Sequence, residues 1–156
     1  MEKAARITNE KVLKMKTFIE KIAQVKIKDN GEEFVHFFDI AKFPVTFNLE
    51  VSITFLNLIP EKNYILRINI TNDTEPLQLQ FSDTQNFSVP ENDMILVHDN
   101  LGQTFITTGF KFVVSQEGAY QIAFKLEDGN KKELSSFENY YYFEGRKEIN
   151  EQHNQI

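Results

Sequence analysis

The chain has no cysteine and no tryptophan, and it has only six glycines and four prolines in 156 residues. Without cysteine it forms neither a disulfide nor a thiolate metal site, and a chain of this kind is expected in a reducing, cytoplasmic compartment. The glycines are scattered, so they form neither a phosphate-binding loop nor a dinucleotide-binding fingerprint. Disulfide-dependent folds and these nucleotide-binding motifs are therefore excluded.

Long apolar runs are missing as well. Charged residues interrupt the first 20 positions, so we expect neither a signal peptide nor a membrane-spanning segment. A chain of this length fits one domain that buries its own core.

Imidazole is scarce, and the groups that usually accompany it in catalysis are absent. His36, His98 and His153 stand at no metal-ligand spacing, and no activated serine or threonine motif accompanies them. The side chains of residues 91–93 and 99–100 are acids and amides, whose oxygens are suitable calcium ligands. They lack the spacing of an EF-hand loop, and such residues are also common in polar turns. We expect no catalytic site, no metal and no cofactor.

Charge is distributed unevenly along the chain, whose net charge is −6. Residues 1–28 hold eight Lys or Arg and three Glu, and the rest holds nine basic and twenty acidic residues. An acidic body does not favour general nucleic-acid binding. No basic residue occurs between Arg67 and Lys111, which predicts a surface for a basic protein partner, with a solubilising acidic face as the alternative. The acidic residues in this gap are Asp73, Glu75, Asp83, Glu91, Asp93 and Asp99.

Alternating apolar residues predict strands along most of the chain. The clearest are residues 47–55, 64–70 and 105–114. Asn30-Gly31 and Asp128-Gly129 predict hairpin turns, so residues 131–143 should pair antiparallel with residues 119–127. Residues 33–40 are predicted to form one strand, and residues 82–100 an irregular loop around a short strand at 94–97.

The segment from 11 to 27 fits both helical spacing and strand alternation, and we favour a strand from residue 15 to 27. The predicted organisation is a basic N-terminal arm at 1–14, a single domain at 15–143 and a flexible polar tail at 144–156.

One corner motif points to a specific fold. Glu117-Gly118 precedes Tyr120 and Ile122, and this pattern resembles the corner before strand F of immunoglobulin-like sandwiches, with Ile122 where antibody domains carry a cysteine. Seven to nine short strands with hairpin turns support the same architecture. The sequence predicts an all-β, immunoglobulin-like antiparallel β-sandwich.

Over residues 31–120 the order of landmarks resembles an uncharacterised bacterial and phage family of single-domain immunoglobulin-like sandwiches. The resemblance implies a fold and no activity. The matching landmarks are Phe38-Asp39-Ile40, Phe43-Pro44, Leu58-x-Pro60, Tyr64-x-Leu66-x-Ile68 and Glu117-Gly118-x-Tyr120.

Tyr140-Tyr141-Tyr142-Phe143 is an unusual run, because a strand must direct two of these rings to each face. If Tyr140 and Tyr142 point outward, they suit stacking on a sugar or anchoring a protein interface. The alternative is that the N-terminal arm covers them.

These observations predict a non-enzymatic protein-interaction module, in the specific version a phage or mobile-element protein that binds a basic host surface. A carbohydrate-binding sandwich that uses Tyr140 and Tyr142, and a structural or assembly protein, are the alternatives. An exposed edge strand would also allow homo-oligomers.

Overall fold

The computed structural model describes residues 17–74 and 78–147, which form two five-stranded sheets and one short turn of 3₁₀ helix, Glu91–Asp93. The strand order is β2-β1-β4-β8-β7 in sheet I and β3-β10-β9-β5-β6 in sheet II. The strands are β1 Lys21–Asp29, β2 Glu32–Glu33, β3 Phe37–Ile40, β4 Val45–Leu58, β5 Tyr64–Asn72, β6 Gln78–Phe87, β7 Leu96–His98, β8 Leu101–Val114, β9 Gly118–Asp128 and β10 Glu133–Gly145. No helix among these residues is long and apolar enough to cross a membrane.

An aromatic core joins the two sheets and confirms the predicted β-sandwich. Alternation in β4 places its apolar residues on the inner face, where Phe47 is 8 % exposed. Phe143 of sheet II lies 5.6 Å from Phe47 and 5.9 Å from Phe112 between ring centroids. The strand count is ten rather than seven to nine, because β2 and β7 are very short.

The predicted corner before β9 is present. Tyr120 is 2 % exposed, and its hydroxyl donates a hydrogen bond to the carbonyl oxygen of Gln116 at 2.8 Å. Ile122 is fully buried, as expected for the position of the antibody cysteine.

Both predicted hairpins form, but their turns differ. Asn30 and Gly31 have φ angles of 50° and 83°, and the turn joins β1 to β2. Between β9 and β10, Lys131 rather than Gly129 adopts positive φ, at 66°. The register pairs Phe124 with Phe137, so the predicted antiparallel pairing is confirmed.

The prediction of one strand over residues 33–40 is wrong. Phe34 leaves sheet I and is buried between the sheets, with its ring 4.9 Å from the ring of Tyr141. The chain then enters sheet II, where β3 runs parallel to β10. Burial of Phe34 between the sheets therefore divides the segment into β2 and β3.

The prediction of an irregular loop over residues 82–100 is wrong for its first part. β6 continues to Phe87, because Phe81 and Phe87 pack inward against Phe110 and Phe55, at 4.5 and 5.4 Å. The polar residues between them had suggested a loop. The predicted short strand at 94–97 is observed at Leu96–His98.

The first strand begins at Lys21 rather than at residue 15. Residues 17–20 lie outside any strand, and Glu20, with φ of 55°, is fixed by a 2.6 Å ion pair with Lys62. The whole predicted arm at 1–14, residues 15 and 16, and residues 148–156 of the predicted tail lie outside the described residues. At the other end, β10 continues to Gly145.

Candidate binding surface

Three exposed aromatic rings lie side by side on the outer face of sheet II. Phe37, Tyr140 and Tyr142 are 82, 59 and 44 % exposed, and we call this set the aromatic face. In the register of β10, Tyr142 pairs with Phe37 of β3 on one side and with Ala119 of β9 on the other. The rings therefore belong to neighbouring strands of one surface.

Strand alternation explains why these rings point outward. Tyr141 and Phe143 are buried, so the residues between and before them must face solvent. Tyr141 is held by stacking on His36, with ring centroids 4.9 Å apart. His36 Nδ1 donates to the carbonyl oxygen of Tyr140 at 2.7 Å, which ties the segment before β3 to β10.

Hydrogen bonds orient the ring of Tyr140. Its hydroxyl donates to Oε2 of Glu138 at 2.9 Å and accepts from Nε2 of Gln121 at 3.0 Å. The exposed ring is therefore tethered at its polar end and presents its apolar surface to solvent.

The small side chain of Ala119 leaves a shallow depression beside the tyrosines. One part, of about 380 Å³, is lined by Phe37, Ala119, Tyr140 and Tyr142 together with His36 and Tyr141. An adjacent part, of about 280 Å³, shares Ala119 and Tyr140 with the first and adds four polar residues, so we call it the polar part. Its lining is Thr71, Asn72, Asp73, Ala119, Tyr120, Gln121 and Tyr140.

Asp73 supplies the charge of the polar part. Its backbone N–H donates to the carbonyl oxygen of Ala119 at 2.9 Å, so the chain after β5 is fixed next to β9. The side chain is exposed, and the structure gives its carboxylate no hydrogen-bond or ion-pair partner within residues 17–74 and 78–147.

Among the described residues, the other acids of the predicted binding surface do not join Asp73. Glu91 and Asp93 follow β6 at the opposite end of the sandwich, and Asp99 lies nearby in the turn between β7 and β8. Asp83 lies at the margin between the sheets, where Gln85 Nε2 donates to it at 2.9 Å and to Thr108 at 2.8 Å. Glu75 lies outside the described residues.

Neither histidine of the described chain stands in a metal-binding or catalytic arrangement. Among the described acidic groups, His98 contacts only its neighbour Asp99, at 3.4 Å. Asp39 pairs with Arg146 at 3.1 Å rather than with His36. No three His, Asp or Glu residues in this part of the chain are close enough to hold a metal ion.

Phe37 and Ala119 were not identified from the sequence as members of the surface. The adjacent pair Phe37-Phe38 was a usable signal, because neighbouring rings in a strand must face opposite sides. The parallel pairing that brings Phe37 beside Tyr142 has no local signal.

No family model matches the chain, and no curated protein matches it. A bacterial adhesin from Mobiluncus mulieris, described as containing intramolecular disulfide, isopeptide and ester cross-links, is similar in structure, with a TM-score of 0.54 and 8 % identity. The match covers 81 % of this chain and 58 % of the adhesin chain. A β-glucuronidase of glycoside hydrolase family 2 gives a TM-score of 0.53 at 11 % identity, over 79 % of this chain and 12 % of the enzyme.

This chain therefore spans less than two thirds of each of these proteins. Identities this low show a common fold alone and carry no information about activity. With the corner at Tyr120 and the two packed sheets, the comparison establishes that the protein is an all-β sandwich of the immunoglobulin-like type.

Proposed function

We propose that the protein is a non-enzymatic interaction module that binds a partner protein through the aromatic face. The observation that carries the proposal is the exposure of Phe37, Tyr140 and Tyr142 on adjacent strands. Exposed clusters of large apolar side chains mark interaction sites, and tyrosine is a frequent energetic anchor in interfaces because it combines apolar area with a polar tip.

The chemistry of the aromatic face supports binding rather than catalysis. The polar groups of the depression are carboxylates, tyrosine hydroxyls, the amides of Asn72 and Gln121, the ring of His36 and the hydroxyl of Thr71. Among the described residues, no hydrogen bond joins the Thr71 hydroxyl to a histidine or a carboxylate that would activate it as a nucleophile. The depression is shallow and open, whereas catalytic sites are usually enclosed clefts.

Charge supports a partner with a basic surface. Asp73, Glu138 and Glu144 are exposed around the rings, and the chain as a whole has a net charge of −6. Such a field accelerates association with a basic protein and weakens at high ionic strength. The specific version of this proposal is a phage or mobile-element protein that covers a basic host surface, and Glu91, Asp93 and Asp99 lie outside the surface it would use.

The test is affinity capture with two matched double variants. Tyr140→Ala with Tyr142→Ala removes two rings of the aromatic face, and Phe105→Ala with Val113→Ala removes exposed apolar side chains from the outer face of sheet I. A partner retained by the wild type and the sheet I variant should be lost from the tyrosine variant, with affinity reduced about 30-fold or more. Equal retention by both variants would exclude the aromatic face as the binding surface.

A carbohydrate is the second candidate ligand, favoured by the position of Tyr140 and Tyr142 at a depression that half-buried Gln121 also lines. Aromatic rings beside hydrogen-bonding groups suit the apolar face and hydroxyls of a sugar. A glycan array probed with the wild type and the tyrosine variant tests this, and the absence of any glycan bound through the tyrosines removes the candidate.

A further inference from the structure

We infer that the aromatic face binds an arginine side chain of the partner protein, with its aliphatic stem over Ala119 and its guanidinium group between the ring of Tyr140 and the carboxylate of Asp73. The inference rests on the proposed function and names the chemical group that the surface recognises. It follows from the order of apolar and acidic groups along the depression.

The apolar part of the depression suits the stem of a long cationic side chain. Phe37, Tyr142 and Ala119 line it, and it is continuous with the surface of Tyr140. Arginine and lysine bury their methylene groups on apolar surfaces of this kind while keeping the charged end in a polar environment.

The polar part begins beside Ala119 and extends across to the neighbouring strand, β5. It contains a carboxylate that suits the charged end of a long cationic side chain. Asp73 borders this part, and its backbone bond to Ala119 fixes its place relative to the apolar part. Tyr140 borders both parts, and its hydroxyl is engaged by Glu138 and Gln121, so its ring is held in position. A guanidinium group stacks on such a ring and forms paired hydrogen bonds with a carboxylate.

The charge around the aromatic face favours a cation over a neutral or acidic ligand. Glu138 and Glu144 are exposed on β10 beside the rings. Arg146, the described cation that follows β10, is paired with Asp39 at 3.1 Å. A neutral sugar can donate hydroxyl hydrogen bonds to these carboxylates but is not attracted by their net charge, and an acidic segment is repelled by it.

The test is an NMR titration of the full ¹⁵N-labelled chain with small probes: N-acetylarginine amide, N-acetyllysine amide, the neutral N-acetylglutamine amide and the disaccharide maltose. Arginine should shift the amide signals of Asp73, Ala119 and Gln121, lysine should shift them less, and the two neutral probes should not shift them. Asp73→Asn should weaken arginine binding about fivefold, the effect of one exposed ion pair. Tyr140→Ala should weaken it as well.

Glu50→Gln is the matched control, because Glu50 is an exposed acid on the outer face of sheet I. It should leave arginine binding unchanged. Equal weakening by Glu50→Gln and Asp73→Asn would show diffuse attraction and overturn the inference, as would shifts produced by maltose and not by arginine.

The capture experiment separates this inference from the proposed function. If the partner is lost from the tyrosine variant but arginine produces no shift, the aromatic face remains the binding surface and the arginine inference is wrong. If the tyrosine variant retains the partner, the proposed function is wrong and the inference falls with it.

Discussion

Tyrosine has two opposite roles on β10, and burial of the individual ring decides between them. Tyr140 and Tyr142 present their rings to solvent, whereas Tyr141 is 3 % exposed and stacks on His36. Burial raises the pKa of Tyr141 to about 12, because the charged phenolate is poorly solvated between the sheets. Burial also raises the pKa values of Tyr64 and Tyr120.

These shifts predict that the protein loses stability in alkali. Above a pH of about 10 the unfolded tyrosines release their protons while Tyr141 keeps its own until about 12, so the unfolded state binds fewer protons than the folded state. The free energy of unfolding should therefore be unaffected by Tyr141 below pH 10 and should then fall by about 1.4 kcal/mol per pH unit for this residue. Urea unfolding followed by circular dichroism at several alkaline pH values measures it.

The control is Tyr141→Phe, which removes one titrating group and keeps the ring. Lysine contributions are common to both proteins, so the difference between the two slopes isolates Tyr141. The variant should show the smaller decrease with pH, and identical slopes in the two proteins would contradict a buried phenol at this position.

At the scale of elements, the two hairpin turns depend on glycine to different extents. Gly31 has a φ of 83°, and apart from its two chain neighbours no described residue has an atom within 4 Å of the position that a Cβ would occupy. Gly31→Ala should therefore cost about 1 kcal/mol of unfolding free energy through backbone conformation alone. Urea denaturation of the variant provides the measurement.

Gly129 is the matched site in the turn between β9 and β10. Its φ is outside the left-handed region, and a Cβ there would lie 3.9 Å from the carbonyl oxygen of Asn63. Gly129→Ala should leave stability unchanged or raise it by about 0.4–1 kcal/mol, because alanine restricts the unfolded chain. Equal losses in both variants would mean that the two turns share a glycine requirement, contrary to their backbone angles.

The elements that the sequence predicted well are those with strong local signals. Long half-buried strands such as β4 alternate over their whole length, and the two turns contain residues suited to them. No local sequence pattern indicated the position of β3. Its parallel pairing with β10 depends on a partner far away in the sequence and on the burial of Phe34 between the sheets. β6 was partly missed because an edge strand with a polar outer face resembles a loop.

The same limits apply to the binding surface. Alternation was enough to place Tyr140 and Tyr142 on one face, but the assembly of Phe37, Ala119 and Asp73 beside them depends on strand order. The acidic residues that are neighbours in sequence are separated because β6 extends for ten residues between Asp73 and Glu91. The described acids of this sequence gap therefore lie on separate parts of the fold.

At the scale of the whole molecule, the two sheets share one core and are joined at both margins. Ile22 N donates to Ser135 Oγ at 3.0 Å at one margin, and Gln85 bonds Thr108 at the other. Phe143 lies in the aromatic core between these margins. We therefore expect the sheets to unfold together rather than one after the other.

Phe143→Ala tests this expectation, because Phe143 is fully buried and contacts rings of both sheets, including Phe112 and Tyr120. The variant should lower the free energy of unfolding by about 3–5 kcal/mol, from lost burial and the cavity left behind. Urea transitions of this variant followed by circular dichroism and by tyrosine fluorescence should still coincide. The control is Phe105→Ala on the exposed face of sheet I, which should change the free energy of unfolding by about 0.5 kcal/mol or less. Separate transitions in the wild type would show that the sheets are independent cooperative units, and a loss no larger than that of Phe105→Ala would show that the core does not depend on this ring.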